Sequence, residues 1–317
     1  MALVPVPIAT LGAEHSAQQF RMMIKDLARD NQGVTTGSDL KVTALSTPGA
    51  GVQIGDGSAV IAGKYSPTQG YYNAYNIGSD TVDIAATGGT GRSDMLVLRV
   101  EDPEFEGTRD PEVDPIVFFE VIPNVSSSAT TVPAGYSAVP LARIDIPSST
   151  ATITNAMIKD LRQVANPRRD RVLTPYYQPG GPVVEISGTS STWKTHPNVT
   201  LATLAIPSWA ATAKVIFSVN GLRLSTGDVF GAFRFMLGTV EAFQEVFIDD
   251  NQGNVARRVN VEMVETIDLT TTAGAAMRGT NQPIKSRMRT DPLNDGMIGV
   301  DSRSTFKIDV EFLEGRL

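Results

Sequence analysis

Residues Lys214-Val-Ile-Phe-Ser-Val-Asn-Gly-Leu-Arg-Leu-Ser225 decide the reading of the second half of the chain. Apolar and polar side chains alternate on both sides of Asn220-Gly221, the period of two that turns one face of a strand to a core and the other to water. Asn-Gly suits the two positive-φ positions of a type I′ turn, so the stretch predicts a β-hairpin, Lys214–Val219 and Leu222–Ser225. Downstream, Val229–Leu237, Glu241–Ile248 and Arg258–Leu269 continue the pattern. The final stretch is the cleanest, with Phe306, Ile308, Val310 and Phe312 on one side and Lys307, Asp309 and Glu311 on the other. Short strands at this spacing, separated by turn signals, predict a jelly-roll-like β-sandwich over residues 183–317.

Upstream of it, residues 166–182 (NPRRDRVLTPYYQPGGP) show no periodicity and read as a linker. Its arginines Arg168, Arg169 and Arg171 read as solvated charges paired with acidic neighbours, in preference to a nucleic-acid grip. Residues 1–165 form a separate N-terminal domain. Phe20, Met23, Ile24 and Leu27 fall at i, i+3, i+4 and i+7 with polar residues between, which predicts a helix from about residue 13 to 30, ending near Gly33. From Asp39 the period changes to two, and strands are expected near residues 40–45, 51–62, 70–77, 80–86, 94–100, 115–122 and 139–146. A short helix is expected over 156–164. In Ile116-Val-Phe-Phe-Glu-Val-Ile122 both faces are apolar, so Phe118 and Phe119 are expected to be covered by their own domain or by a neighbouring subunit. The fold class is therefore mainly β: an N-terminal helix with a β-rich domain, then a C-terminal sandwich.

Composition removes several function classes. The 317 residues are 41% hydrophobic, enough for real cores, and carry a net charge of −7, which gives no basic face for phosphate. There is no cysteine, hence no disulfide, thiolate metal site or cysteine nucleophile. The start, Met1-Ala-Leu-Val-Pro-Val-Pro-Ile-Ala9, lacks the basic region and long apolar core of a signal peptide, and no run approaches the ~18 apolar residues of a membrane span. Neither export by its own signal nor a membrane span is expected.

Catalytic motifs are not found. The two histidines, His15 in the first turn of the expected helix and His196 in a Thr-His-Pro-Asn turn, fall in different domains, too few for a zinc site within one subunit. No Gly-x-Ser-x-Gly elbow is present, and Gly188-Thr-Ser-Ser-Thr192 is a turn. Gly88-Gly-Thr-Gly-Arg-Ser93 leads into a strand, so it reads as a hairpin loop and not as a phosphate loop. Asp249-Asp-Asn-Gln-Gly-Asn254 is the best calcium candidate but departs from EF-hand spacing, which favours a polar turn. Asp102, Glu104, Glu106, Asp110, Glu112 and Asp114 offer paired carboxylates for glycosidase chemistry, against the plainer reading of exposed loop acids. Tyr65, Tyr71, Tyr72, Tyr75, Trp193 and Trp209 could stack on sugars or serve as ordinary packing residues. No catalytic residue, cofactor or metal site is assigned.

The order of motifs in the first half carries a resemblance. Gly37-Ser-Asp-Leu-Lys-Val-Thr-Ala44, Thr47-Pro-Gly49 and Val52-Gln-Ile-Gly-Asp-Gly-Ser-Ala-Val-Ile-Ala-Gly63 come first. Gln69-Gly-Tyr71, Arg92-Ser-Asp-Met-Leu-Val-Leu-Arg-Val-Glu-Asp102 and Glu104-Phe-Glu-Gly107 follow. Val139-Pro-Leu-Ala-Arg-Ile-Asp-Ile-Pro147 and Thr150-Ala-Thr-Ile-Thr-Asn-Ala-Met-Ile-Lys-Asp-Leu-Arg162 complete the series. Over roughly residues 10–170 the chain resembles minor tail or baseplate proteins of long-tailed bacteriophages infecting actinobacteria. The family commonly has Arg-Ile-Asp where this chain has Arg92-Ser93-Asp94, and beyond about residue 175 the match is poorer. The resemblance implies a non-enzymatic structural protein of the virion, made in the host cytoplasm. It further implies a homotrimer whose N-terminal domain docks on other tail or baseplate proteins. Phe20, Met23, Ile24, Leu27, Phe118 and Phe119 are the candidate subunit-interface residues. The alternatives are a tail-tip module that binds a host cell-surface glycan or receptor, and a capsid fibre or decoration protein; no nucleic-acid partner is expected.

Overall fold

The computed structural model describes residues 7–315; the apolar start before Pro7, part of the expected leaderless N-terminus, lies outside the described residues. The chain divides into two compact units, one running to Asn166 and the other Pro167–Gly315. Both are mainly β.

The first unit opens with helix α1 (Ala17–Ala28). Its strands are β1 (Gly33–Val34), β2 (Val42–Ala44), β3 (Gly51–Ile54), β4 (Gly57–Ala62), β5 (Tyr71–Asn76), β6 (Asp80–Asp83), β7 (Arg92–Val100), β8 (Val117–Val125), β9 (Ala138–Ile146) and β10 (Ile158–Asp160). They pair as two three-stranded sheets, β1-β4-β5 and β2-β3-β6, and a four-stranded sheet, β10-β9-β7-β8. Strand β7 is buried on both faces. Leu96, Leu98 and Val100 join the main core with Ile54, Ile61, Leu141 and Ile144, while Met95 and Val97 join a smaller cluster with Ile122 and Ala138.

Helix α1 contains the apolar pattern but is shorter than the expected span of about 13 to 30. Ser16 forms a capping box with Gln19, its hydroxyl accepting from the Gln19 N–H at 3.2 Å and its own N–H donating to the Gln19 side chain at 2.9 Å. Such a cap stabilises by about 1 kcal/mol and fixes the first turn. His15 therefore precedes the helix. The other end closes where Arg29 and Asp30 turn left-handed, at φ 52° and 61°, before Gly33 is reached. The helix expected over 156–164 is absent: after a short 3-10 turn, Asn155–Met157, the chain extends as β10 against β9. Tertiary pairing overrides the local propensity there, with Arg162 gripping the Asp160 carboxylate and the carbonyl of Gly37.

The second unit contains β11 (Arg169–Tyr177), β12 (Val184–Ser187), β13 (Lys194–Thr195), β14 (Ala202–Ala205), β15 (Thr212–Ser225), β16 (Val229–Leu237), β17 (Val240–Glu241), β18 (Val246–Asp250) and β19 (Arg257–Asp268). A one-turn helix α2 (Thr272–Ala275) precedes β20 (Asn281–Thr290), β21 (Met297–Val300) and β22 (Thr305–Leu313). One six-stranded sheet runs β11-β22-β15-β21-β12, with β19 beside β15; the other runs β13-β20-β16-β17, with β14 on β20 and β18 on β16. Phe217 and Phe306 of the first sheet meet Phe233 and Phe235 of the second, with Phe217 5.5 Å and 5.6 Å from the two rings across the core. This is the expected β-sandwich, with the apolar side of β22 fully buried.

The strand expected over Glu241–Ile248 is broken into β17 and β18, and two further expectations for this unit fail. Asn220-Gly221 is not a hairpin turn: β15 runs through it as one strand, and the dipeptide forms a bulge where register shifts against β19 between Val219 and Leu222. Of the pair only Gly221 has positive φ, at 69°, and a Cβ there would stand 2.6 Å from the Arg303 carbonyl oxygen. The bulge also marks where β15 changes neighbour on that side, from β22 to β21. The segment 166–182 is not a linker throughout, because Arg169–Tyr177 is β11, paired residue for residue with β22. Arg168 bonds Glu314, Arg169 bonds Glu311 and Arg171 bonds Asp309, so the basic cluster is one side of a charge ladder.

Candidate functional site

Helix α1 is mounted with its polar side inward. Arg21, in the middle of the helix, is 7% exposed. Its Nε donates to the Gln69 carbonyl at 2.7 Å, one Nη reaches Glu104 at 2.6 Å, and the other lies 3.4 Å from Asp102. The guanidinium also lies over the rings of Phe105 and Tyr72, at 5.2 and 5.7 Å. Tyr72 donates to Asp102 at 2.7 Å and accepts from the Gln69 side chain at 3.0 Å. Burial, aided by the bond to Asp102, raises the Tyr72 phenol well above its ordinary pKa, so it remains a donor. Gly70, at φ 77°, lets the helix come close: a Cβ there would stand 2.7 Å from the Arg21 backbone.

The consequence is an apolar row pointing away from its own unit. Leu27 is 70% exposed, Phe20 47% and Met23 37%, with Ile24 half-buried beside them. An amphipathic helix ordinarily does the reverse, hiding its apolar stripe in the core. The stripe is legible in the sequence, as are Asp102, Glu104 and the Gln69-Gly70 motif; that these residues meet Arg21 and aim the stripe is not. Gln18, Arg21, Lys25 and Ala28 recur at helical spacing on the other side of α1.

Phe118 and Phe119 lie elsewhere in the unit, on β8 at the open edge of the four-stranded sheet. Phe119 packs on the main core. Phe118 is half-buried beneath two guanidinium groups, Arg109 at 4.2 Å and Arg99 at 6.0 Å from its ring centre. Both apolar faces of the strand are thus partly covered within the unit, with Val117 left exposed. Pro123 and the left-handed Asn124 interrupt the outer end of this edge, features that discourage pairing with another strand.

Of the candidate acid-base carboxylates, Asp102 and Glu104 pair with Arg21, and Glu106 with Arg99. Arg99 bonds Glu106 at 3.1 Å and Glu120 at 2.9 Å, and Arg109 lies 3.3 Å from Glu101. Asp110 and Asp114 close their own loop, the Asp114 carboxylate accepting from the Asp110 N–H. In the 249–254 loop, Arg257 donates to the carbonyls of Gly253 and Val255 at 2.7 Å each and pairs with Asp250, so a guanidinium occupies the oxygen-rich side. Among the described residues no three His, Asp or Glu side chains gather as metal ligands, and no helix is long and apolar enough to cross a membrane. Trp193 is stacked by Arg234 at 4.2 Å, with Arg289 at 5.3 Å, which takes up ring surface a sugar would need. His196 is buried beside β20. A cleft of about 450 Å³ in the first unit lies under loop 130–136, lined also by Gln32, Lys64 and Gln163.

No protein-family model matches the chain, and no curated protein matches it. Among solved structures, that of infectious bursal disease virus Gx strain is 12% identical, covering 89% of this chain and 74% of that one at a TM-score of 0.27. The VP2 subviral particle of infectious bursal disease virus is 10% identical, covering 94% and 82%, at 0.23. An insecticidal delta-endotoxin from Bacillus thuringiensis is 10% identical, covering 93% and 55%, at 0.22. At these identities and TM-scores the likenesses decide neither the fold nor the function of this chain.

Proposed function

We propose that the chain is a structural subunit of a virus particle, a minor tail or baseplate component of a long-tailed phage that assembles as a homotrimer through α1. The observation that carries this reading is the outward apolar row Phe20, Met23 and Leu27 on a helix whose polar side is anchored. Burying such side chains is worth about 1.5–3 kcal/mol each, stabilisation that a lone copy forgoes and a permanent assembly recovers. Their spacing is one heptad seam, and a seam of identical helices is complementary to itself under closed cyclic symmetry. The charges nearby are mixed, Lys25 with Asp26 and Asp30, unlike the basic face that nucleic acid or an anionic membrane attracts.

A stable interface buries about 800 Å² per partner, more than one short helix offers, so surrounding surface of the first unit completes the contact. The resemblance to phage tail proteins falls in this same unit. Its motifs include Gln69-Gly70, Asp102 and Glu104, the residues that hold α1 in its outward pose. The sandwich, where the resemblance is poorer, is then the part fitted to host attachment, including contact with a cell-surface glycan.

Light scattering on the purified full chain is expected to give about three times the 33.8 kDa subunit mass. A clean monomer at all concentrations overturns self-assembly through α1. Leu27→Asp is expected to lower the trimer fraction while leaving circular dichroism unchanged; equal loss of both would assign the helix to the fold of a single copy.

A further inference from the structure

In the second unit, residues 194–205 form a strap along one edge of β20. β13 pairs with Arg287 and Met288, and β14 pairs with residues 281–284. Between them lies His196, 2% exposed, whose backbone N–H donates to the Ser286 carbonyl at 3.0 Å. This continues the register of Thr195 opposite Arg287, so His196 and Ser286 are a cross-strand pair with side chains on the same face. Ser286 is fully buried on the core side of β20, between Ile284 and Met288. Among the described residues, neither the imidazole Nε2 nor the Ser286 hydroxyl has a hydrogen-bond partner.

We propose that His196 is an acid-sensitive latch: its protonation releases the strap 194–205 from β20 and opens the sandwich along that edge. The physical reason is that an imidazolium here would carry a full charge into a buried site whose cross-strand neighbour is the uncharged Ser286 hydroxyl, with no carboxylate to balance it. The charged groups on the neighbouring elements are occupied elsewhere. Lys194 is exposed, and Lys285 and Arg287 alternate to the opposite face of β20 from Ser286. Arg287 donates to Thr195 and the Trp193 carbonyl and pairs with Glu241, Arg234 of β16 pairs with the same Glu241, and β14 carries no ionisable side chain. Burial alone, with no compensating carboxylate, pushes the His196 pKa from 6.5 down to about 4.

Because the closed form holds histidine neutral while the open form takes up a proton near pH 6.5, stability is fully present above 6.5 and is lost as pH falls toward 4. The open fraction rises toward tenfold per pH unit within that window, about fifteenfold in all between pH 6.5 and 5, since half of the open form is already protonated at 6.5. The carboxylates Asp301, Asp309 and Glu314 have lowered pKa values. For Asp301 and Asp309 the bonded arginine is the main cause; for Glu314 bonds to Arg168 outweigh burial. Their stabilisation is present above the ordinary carboxylate range and lost only below it, leaving pH 5 to 6.5 to His196.

The experiment is hydrogen exchange with mass spectrometry on the full chain, corrected for the intrinsic pH dependence of exchange. Protection of residues 194–205 and of their β20 partners is expected to fall about fifteenfold between pH 6.5 and 5, and the fall should vanish in His196→Gln. A fall that persists in the variant, or no fall in the wild type, overturns the latch. Should the variant not fold, NMR of the two imidazoles decides: a His196 signal that stays neutral to near pH 4 upholds the latch, and one that titrates near 6.5 sinks it.

Discussion

Phe217→Ala is expected to cost the second unit about 4 kcal/mol, a large part of what a domain of this size has to lose. The side chain is fully buried at the centre of the sandwich, with three phenylalanine rings within 6.3 Å drawn from both sheets. Its strand, β15, is paired on both sides, with β19 and with β22, so the backbone has little freedom to collapse into the space a lost ring leaves. A cavity is then added to the lost transfer energy. Both tryptophans, Trp193 and Trp209, belong to this unit, so their fluorescence during urea unfolding reads it selectively. A shift worth less than about 1 kcal/mol would mean that the aromatic cluster is loosely packed.

Arg21→Ala is expected to cost the first unit about 3 kcal/mol and to free α1 from its seat. The substitution leaves Asp102, which is largely buried, without its cation, and takes a donor from the Gln69 carbonyl. Arg21→Lys should recover less than half of the loss, because a single ammonium cannot serve Gln69 and Glu104 from two directions of a planar fork. Gly70→Val should produce the same detachment without touching any charge, since a Cβ there collides with backbone. Trypsin makes this visible, as Arg21, Lys25 and Arg29 are all on or beside the helix. Cleavage at Lys25 and Arg29 should accelerate in both Arg21→Ala and Gly70→Val while tryptophan fluorescence stays native. Unchanged cleavage would show that the helix is held by something other than Arg21.

The elements that could be read from sequence are those where one physical requirement dominates. Phe306, Ile308, Val310 and Phe312 alternate because burial sets their pattern, and β22 follows it except at Asp309, buried on the other side with Arg171 bonded to it. Where two structures share one requirement, the sequence is ambiguous. Asn-Gly offers positive φ, which serves a hairpin turn or a bulge equally, and the difference lies in Arg303 and Asn260, far away in sequence. The arginines of 168–171 look like linker charge because their partners, Asp309, Glu311 and Glu314, are about 140 residues downstream, and Pro175 and the prolines after it mask a strand. For α1 the stripe was legible, and its direction was not. Which side of an amphipathic helix faces inward depends on what waits underneath, here a carbonyl, two carboxylates and two rings gathered from residues 69–105.

The pairing of β11 with β22 has a consequence for how the sandwich is inherited. The two strands that begin and finish the second unit are neighbours, and the Arg168 and Glu314 backbones are bonded to each other, Glu314 N–H to Arg168 carbonyl at 3.0 Å. Entry and exit of the polypeptide are therefore side by side, the arrangement in which a folded unit can be cut out, replaced or spliced into another host chain with little effect on its surroundings. Selection can then exchange this unit as a cassette without rebuilding the helix-bearing unit.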